Sequence, residues 1–340
     1  MSTAELTDDV DLSRRWRRWL ITLVSIIAGT MALVYGGVLL LDPFSTGRFT
    51  PIKRIDIATK NITMGHVARV RDLRFDAAIV GNSHAVTFDP GRLSVLTGRT
   101  FAQLSSPGYG AREQFVVTRA FVRERRGRAP ALVLVLDRQA CAPDENLARF
   151  GDSFPDYLFE ESRLNYLRRI FFPEAIRSAG YRLLMLMGFA RDRQPRDGVD
   201  AGALKAMQGL SPRHRAEIEA LRRPTSSPPH GAPFPAVAFW RSFLAGLDAE
   251  TRLVLYFGPL PIGRLPLPGS AAEARLAACK AAYRKLAVER PHTVLIDRWI
   301  DHAFARDIGN FTDTDHFRSG LATNLEPEIA AALKHALSER

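Results

Sequence analysis

Phe75-Asp76-Ala77-Ala78-Ile79-Val80-Gly81-Asn82-Ser83-His84 is the stretch that decides the fold of this chain. An apolar run of strand length stops at a glycine and passes at once into a polar turn carrying a serine. Asp89-Pro90 then supplies a helix cap and a first helical residue, and Gly98 a stop. Strand, tight turn and helix in that order put a serine hydroxyl at the C-terminal end of a buried strand, where it can project into a crevice.

Outward from this unit the same alternation recurs. Residues 100–104 read as a short strand, 111–126 as a helix, and 131–136 as a strand that is apolar throughout, as a parallel strand covered on both faces is. Further on come a helix near 237–247, a strand at 253–257, a Pro/Gly-rich loop at 258–269, a helix at 271–289, a strand at 293–297 and a closing helix at 319–337. The pattern predicts an α/β fold with a mostly parallel sheet of five strands and a ligand crevice beyond their carboxyl ends. Residues 138–250 depart from the alternation and read as a helical insertion. It has helical pieces at 163–169 and 173–186 and an irregular Pro/Ser-rich loop at 223–231. Its aromatic stretches, Phe154-Pro155-Asp156-Tyr157 and Phe171-Phe172-Pro173, are expected to pack it onto the core, with an aromatic platform for sugar rings as the alternative.

A second motif, Asp313-Thr314-Asp315-His316, precedes the closing helix. A histidine three residues after an aspartate can present an imidazole already oriented by a carboxylate, and a serine needs such a base to become a nucleophile. Ser83 is therefore the candidate nucleophile, His316 the base and Asp313 the orienting acid, with Asp315 a neighbour of unassigned role. His84 adjoins the serine, and because adjacent residues point apart it is expected to contact substrate or support the site, not to act as the base. Each motif alone is common. Their conjunction, one after the first sheet strand and one before the last helix, is specific.

On these residues the chain resembles the SGNH (GDSL-like) esterase superfamily. The resemblance covers most of 75–337 and implies a three-layer, flavodoxin-like fold for a domain spanning 75–340. It also implies an oxyanion hole built from the serine's own amide, a glycine after the second strand and an asparagine after the third. Gly108 in Ser105-Ser106-Pro107-Gly108-Tyr109-Gly110 fits the glycine, with Gly110 as its rival. The third strand ends instead in Asp137-Arg138-Gln139, and a carboxylate donates to an oxyanion only when protonated. Asn82 either adds a side-chain amide or supports the turn, and Asp137 and Arg138 either line the crevice or hold the insertion by an ion pair. Membrane-anchored domains similar to this one act on acyl groups of bacterial cell-surface polysaccharides. The implied function is an extracytoplasmic serine acyl esterase or O-acyltransferase on a carbohydrate, placed beside a membrane-embedded acyl-donor protein. The alternative is a non-catalytic polysaccharide-binding or assembly protein of the same fold. A lipase ranks lower for want of a long amphipathic lid.

The anchor is read from residues 19–41, which are 23 residues without a charge, enough to cross a hydrocarbon core of about 30 Å. Arg14-Arg15-Trp16-Arg17-Arg18 precedes this segment and Asp42-Pro43-Phe44-Ser45 follows it, so the positive-inside rule keeps 1–18 in the cytoplasm and everything after residue 45 outside. An apolar region this long, with Gly29-Thr30-Met31-Ala32 a poor cleavage site, indicates an uncleaved signal anchor in the bacterial inner membrane. The acidic first 13 residues are expected to be unstructured. Residues 42–74 read as a connector away from the bilayer, with a short helix near 62–71.

The net charge of +11 does not point to nucleic acid, because 41 of the 47 basic residues are arginines scattered among acids. No Walker loop, dinucleotide fingerprint or metal-ligand cluster is seen, so neither a cofactor nor a metal is expected. Cys141 and Cys279 are too few for a disulfide framework. An oxidising compartment would permit a bond between them, and the sequence leaves the pairing open.

Overall fold

The computed structural model describes residues 3–143, 147–221 and 234–335. The loop expected at 223–231 lies outside these residues. Among the described residues the strands are β1 (Ala77–Val80), β2 (Phe101–Gln103), β3 (Ala131–Leu136), β4 (Arg252–Phe257) and β5 (Thr293–Asp297). They form one all-parallel sheet in the order β2-β1-β3-β4-β5. The helices are α1 (Thr3–Leu41), α2 (Ile62–Arg71), α3 (Pro90–Thr97), α4 (Ala111–Glu124), α5 (Asp156–Phe159), α6 (Arg163–Arg169) and α7 (Pro173–Leu186). These are followed by α8 (Ala201–Ala206), α9 (Pro212–Ala220), α10 (Pro235–Ala245), α11 (Ala271–Val288), α12 (Ala303–Arg306) and α13 (Ser319–His335).

β1 and β3 are apolar at every position, and the middle of β4 and β5 likewise, because both faces of the sheet are covered. Ala78, Val80, Leu132, Leu134, Leu253 and Leu255 enter one core with residues of α2, α4, α10 and α11. Ala77, Ile79, Val133, Val254 and Tyr256 enter the other with Leu93 of α3 and Leu325 and Ile329 of α13. The chain leaves β1 toward β2 on one side and returns to β3 on the other. The point at which the strand order reverses therefore lies at the carboxyl ends of β1 and β3, where Gly81-Asn82-Ser83 and Asp137 are found.

α3 starts as its sequence dictates. Asp89 accepts from the N–H groups of Gly91 (2.7 Å) and Arg92 (3.2 Å), Pro90 occupies the first turn, and Gly98 closes the helix at φ +72°. The cap contributes about 1 kcal/mol. α3 is also fastened to α13. The buried Glu326 carboxylate accepts from the Asp89 N–H at 2.7 Å and from Arg92 Nε at 2.5 Å. These are the helices that follow the two motifs, so one buried carboxylate ties together segments more than 230 residues apart.

Two stretches differ from the sequence expectation. Residues 1–13 were expected to be unstructured, yet α1 begins at Thr3, because extending an existing helix needs no new nucleus and acidic residues suit a helix N-terminus. The stretch 42–74 is not a free connector. Phe44, Val67 and Val70 belong to the main core, and the buried Arg182 of α7 bridges to Asp42 (3.8 Å) and Asp56 (3.7 Å). The insertion is continuous with that core as well, through Phe154, Tyr157 and Tyr166.

Cys141, in the 3₁₀ turn after β3, and Cys279 of α11 are joined by a disulfide with Cα atoms 5.6 Å apart. It closes a loop of 138 residues, so reduction is expected to lower unfolding stability by about 2–4 kcal/mol. Denaturant titration of the detergent-solubilised chain with and without reductant measures this, and an unchanged midpoint would mean that the crosslink constrains little.

Candidate active site

Gly81 ends β1 where only a glycine fits, since a Cβ there would lie 2.6 Å from the Ala85 Cβ and 3.0 Å from the Val135 carbonyl. The turn beyond it is closed by the Ala85 N–H donating to the Asn82 carbonyl at 3.0 Å, and it presents the half-buried Ser83 side chain. On the facing segment, Phe311 and Phe317 pair as an antiparallel bridge, and both are fully buried. Between them the chain forms a tight loop in which the Thr312 N–H donates to the His316 carbonyl at 2.9 Å.

Inside that loop the Asp313 carboxylate accepts from the backbone N–H groups of Asp315 (2.8 Å) and His316 (2.9 Å), and it faces the His316 Nδ1 at 2.8 Å. The other ring nitrogen, Nε2, lies 2.7 Å from Ser83 Oγ. Ser83, His316 and Asp313 thus form one continuous hydrogen-bonded chain at the carboxyl edge of the sheet. With Nδ1–H donating to Asp313, Nε2 is left with a lone pair aimed at the serine proton, the arrangement that removes a proton from a nucleophile.

Burial opposes charge on Asp313, but the His316 hydrogen bond and the two backbone donors outweigh it and hold the carboxyl well below its usual range. For His316, burial pulls downward, while the Asp313 hydrogen bond and the charges of Asp313 and Asp315 raise it above the ordinary 6.5. A base must be neutral to accept a proton, so activity should rise with pH through a midpoint above 6.5. Replacing Asp315 with Asn removes one of the charges that favour the imidazolium and should move that midpoint down. A pH–rate profile of both proteins checks this, and an upward move would contradict it.

Asp315, left without a role by the sequence, is the anchor of this loop. Its Oδ2 accepts from Arg264 Nη2 at 3.0 Å, and Arg138 stands 3.6 Å from its other oxygen. Arg264 also donates to the Thr314 carbonyl (3.0 Å) and hydroxyl (2.8 Å). The Pro/Gly-rich loop after β4 therefore clamps the histidine loop from the side. Sequence reasoning missed Arg264, and no local pattern around it announces the contact, because its partners lie 50 residues further on.

The His84 ring stacks on His316, with centroids 5.0 Å apart and planes 29° apart, and the His84 backbone N–H donates to Asn82 Oδ1 at 3.1 Å. Burial, with the positive charge of His316 adding to it, lowers the His84 pKa to about 4, so it stays neutral near pH 7 and forms a flat wall behind the His316 imidazole. Asn82 supports the turn. Its Oδ1 receives that backbone N–H, and its amide donates to Asp137 Oδ2 at the end of β3. Among the described residues Asp137 forms no ion pair with the insertion. Its carboxylate caps the following 3₁₀ turn by accepting from the Gln139 N–H at 3.0 Å, and burial, the largest influence on it, raises its pKa. Arg138 is turned toward Asp315 at the mouth of the site.

Of the two glycines considered for the oxyanion hole, Gly110 is occupied as the N-cap of α4, where its N–H donates to Glu113 Oε2 at 2.9 Å. Gly108 sits in the preceding turn at φ +82°, a backbone conformation suited to glycine. Among the described residues no cluster of His, Cys, Asp or Glu could hold a metal ion. No protein-family model matches the chain, and neither does any curated protein.

Proposed function

We propose that this chain is a serine acyl esterase or O-acyltransferase of the SGNH type, with a flavodoxin-like catalytic domain outside the bacterial inner membrane and α1 as its single-pass anchor. The observation that carries the reading is the unbroken Ser83–His316–Asp313 hydrogen-bond chain. α1 contains a stretch, Arg14–Leu41, long and apolar enough to cross a membrane, and the arginines at its start, Arg14, Arg15, Arg17 and Arg18, favour a cytoplasmic N-terminus. The Cys141–Cys279 bond supports the same placement, because disulfides persist in oxidising compartments.

In this reading Ser83 Oγ attacks an ester carbonyl as its proton passes to His316 Nε2, and the resulting imidazolium is stabilised by Asp313. The amides of Ser83 and Gly108 receive the oxyanion. Collapse breaks the ester C–O bond, and His316 returns the proton to the departing alkoxide, leaving an acyl group on Ser83. Water or a sugar hydroxyl then gives its proton to His316 and takes the acyl group, regenerating the serine. The substrate is an acylated cell-surface carbohydrate or small ester, and a membrane-embedded protein is the acyl donor when a sugar is the acceptor. Neither metal nor cofactor enters any step.

One observation favours a second reading, a non-catalytic polysaccharide-binding or assembly protein. Asp137 stands where an oxyanion donor is expected, and its carboxylate is an acceptor engaged with Asn82. Incubation with p-nitrophenyl acetate, acid quench and mass analysis of the Ser83 peptide separates the two. An acetylated Ser83 that is cleared by water or by an added oligosaccharide is the expected result, and an unmodified peptide with no phenolate release favours the second reading.

A further inference from the structure

The face of α7 that turns away from the body is mostly apolar over three turns, interrupted by Arg177, which is 72% exposed and paired with Glu174 at 2.9 Å. Ile176, Leu183, Leu184 and Met187 are each 38–50% exposed, and their spacing places them on one stripe of the helix. Gly188, at φ +84°, reverses the chain so that the Phe189 N–H reaches the Leu184 carbonyl at 2.9 Å, adding a ring that is 80% exposed. The opposite face, with Ala175, Ala179, Arg182 and Met185, is buried. Large side chains gathered in this way on a surface mark a site of association.

The position of α7 identifies what it meets. Tyr35 of α1 donates its hydroxyl to the Leu167 carbonyl at 2.8 Å and packs its ring 5.6 Å from the exposed Phe171. Arg182 on the buried side of α7 donates to the carbonyl of Asp42, the first residue after α1. The stripe is therefore fixed to the last turns of the helix that is long enough to span a membrane. That helix is bare as far as Leu33, 77% exposed, and becomes partly covered from residue 34 onward.

Lengths make the argument quantitative. The bare, uncharged stretch 19–33 has 15 residues and spans about 22 Å, against a hydrocarbon core of about 30 Å. The remaining thickness of about 8 Å has to be crossed by the part of α1 that runs beside α6 and α7. A polar surface at that depth would be desolvated at high cost, and the large side chains exposed there are apolar apart from Arg177, whose long stem can carry its charge toward the lipid headgroups. We infer that the outer face of α7, with Phe171 and Phe189, is immersed in the outer leaflet beside α1, so that the domain is seated on the bilayer by one spanning helix and one interfacial helix. Arg168 and Arg191, exposed and next in the chain to Leu167 and just beyond Phe189, suit lipid phosphates at the rim. The inference rests on the reading of α1 as a membrane span and is independent of the chemistry at Ser83.

The chain has two cysteines and they are bonded to each other, so an introduced thiol can be labelled alone. Full-length Leu184→Cys and Phe189→Cys, carrying a nitrobenzoxadiazole probe, would be reconstituted in phosphatidylethanolamine/phosphatidylglycerol vesicles containing nitroxide lipid. Leu33→Cys serves as the reference for the span, and Val288→Cys, 82% exposed at the end of α11, as the reference for water. The expected result is a blue shift and loss of most emission at 33, 184 and 189, with 288 unaffected. Quenching at 33 with water-like emission at 184 and 189 would overturn the inference and leave the anchor standing. An unquenched probe at 33 would remove the anchor and the inference together. A blue shift at 184 and 189 without nitroxide quenching would put another protein, or a second copy, on this face and overturn the lipid assignment.

Discussion

Ser83→Ala is expected to lower ester turnover by about 10⁶-fold while leaving the fold intact. In the proposed reaction the hydroxyl is the group that becomes covalently acylated, and neither neighbouring imidazole is placed to replace it. His316 Nε2 is already committed to that oxygen at 2.7 Å, and His84 lies stacked behind the imidazole. The structural cost is small, because the side chain is half-buried and loses one hydrogen bond, worth about 1 kcal/mol. Turnover of an activated ester beside a thermal melt of the detergent-solubilised chain measures both. Turnover within tenfold of wild type, with an unchanged melt, would mean that Ser83 is not the nucleophile.

Asp313→Asn is expected to cost about 10⁴-fold in kcat with KM little changed. The amide keeps the shape of the side chain, and its oxygen can still accept from the Asp315 and His316 N–H groups that bind the carboxylate now. Its NH₂ end, however, meets the imidazole as a donor. Nδ1 then has to accept, the proton moves to Nε2, and the nitrogen facing Ser83 loses the lone pair that takes the serine proton. Since the carboxylate also holds the His316 pKa up, the acid limb of the residual pH–rate profile should shift down. A loss smaller than tenfold with an unmoved limb would show that the contact does not serve proton transfer.

Much of this architecture is local and therefore readable from the sequence. The turn at Gly81 follows from an apolar run interrupted by a residue without Cβ, α3 from Asp89-Pro90 and Gly98, and the bounds of α6 and α7 from their caps and breakers. The Asp313–His316 pair lies within one loop, so spacing alone was enough to suggest it. What escaped depends on contacts between distant segments. Residues 42–74 resemble a linker in composition, and their burial is dictated by Arg182, which reaches Asp42 from 140 residues away. Arg264 shows no sign of clamping the histidine loop. The one available hint was that Asp315, beside another carboxylate, needed a counter-charge. Asp137 was legible as a departure from the expected asparagine, but its use as the acceptor for Asn82 depends on β1 and β3 being neighbours in the sheet.

The central claim is that Ser83 is an activated nucleophile and that His316 activates it. Fluorophosphonate labelling of the full-length protein in detergent, with wild type, Ser83→Ala and His316→Ala side by side, tests this most directly. The account predicts one labelled peptide in wild type, the one carrying Ser83, and no label in either variant. A wild-type protein that melts cooperatively yet takes up no label, or that is labelled equally in all three, would contradict it.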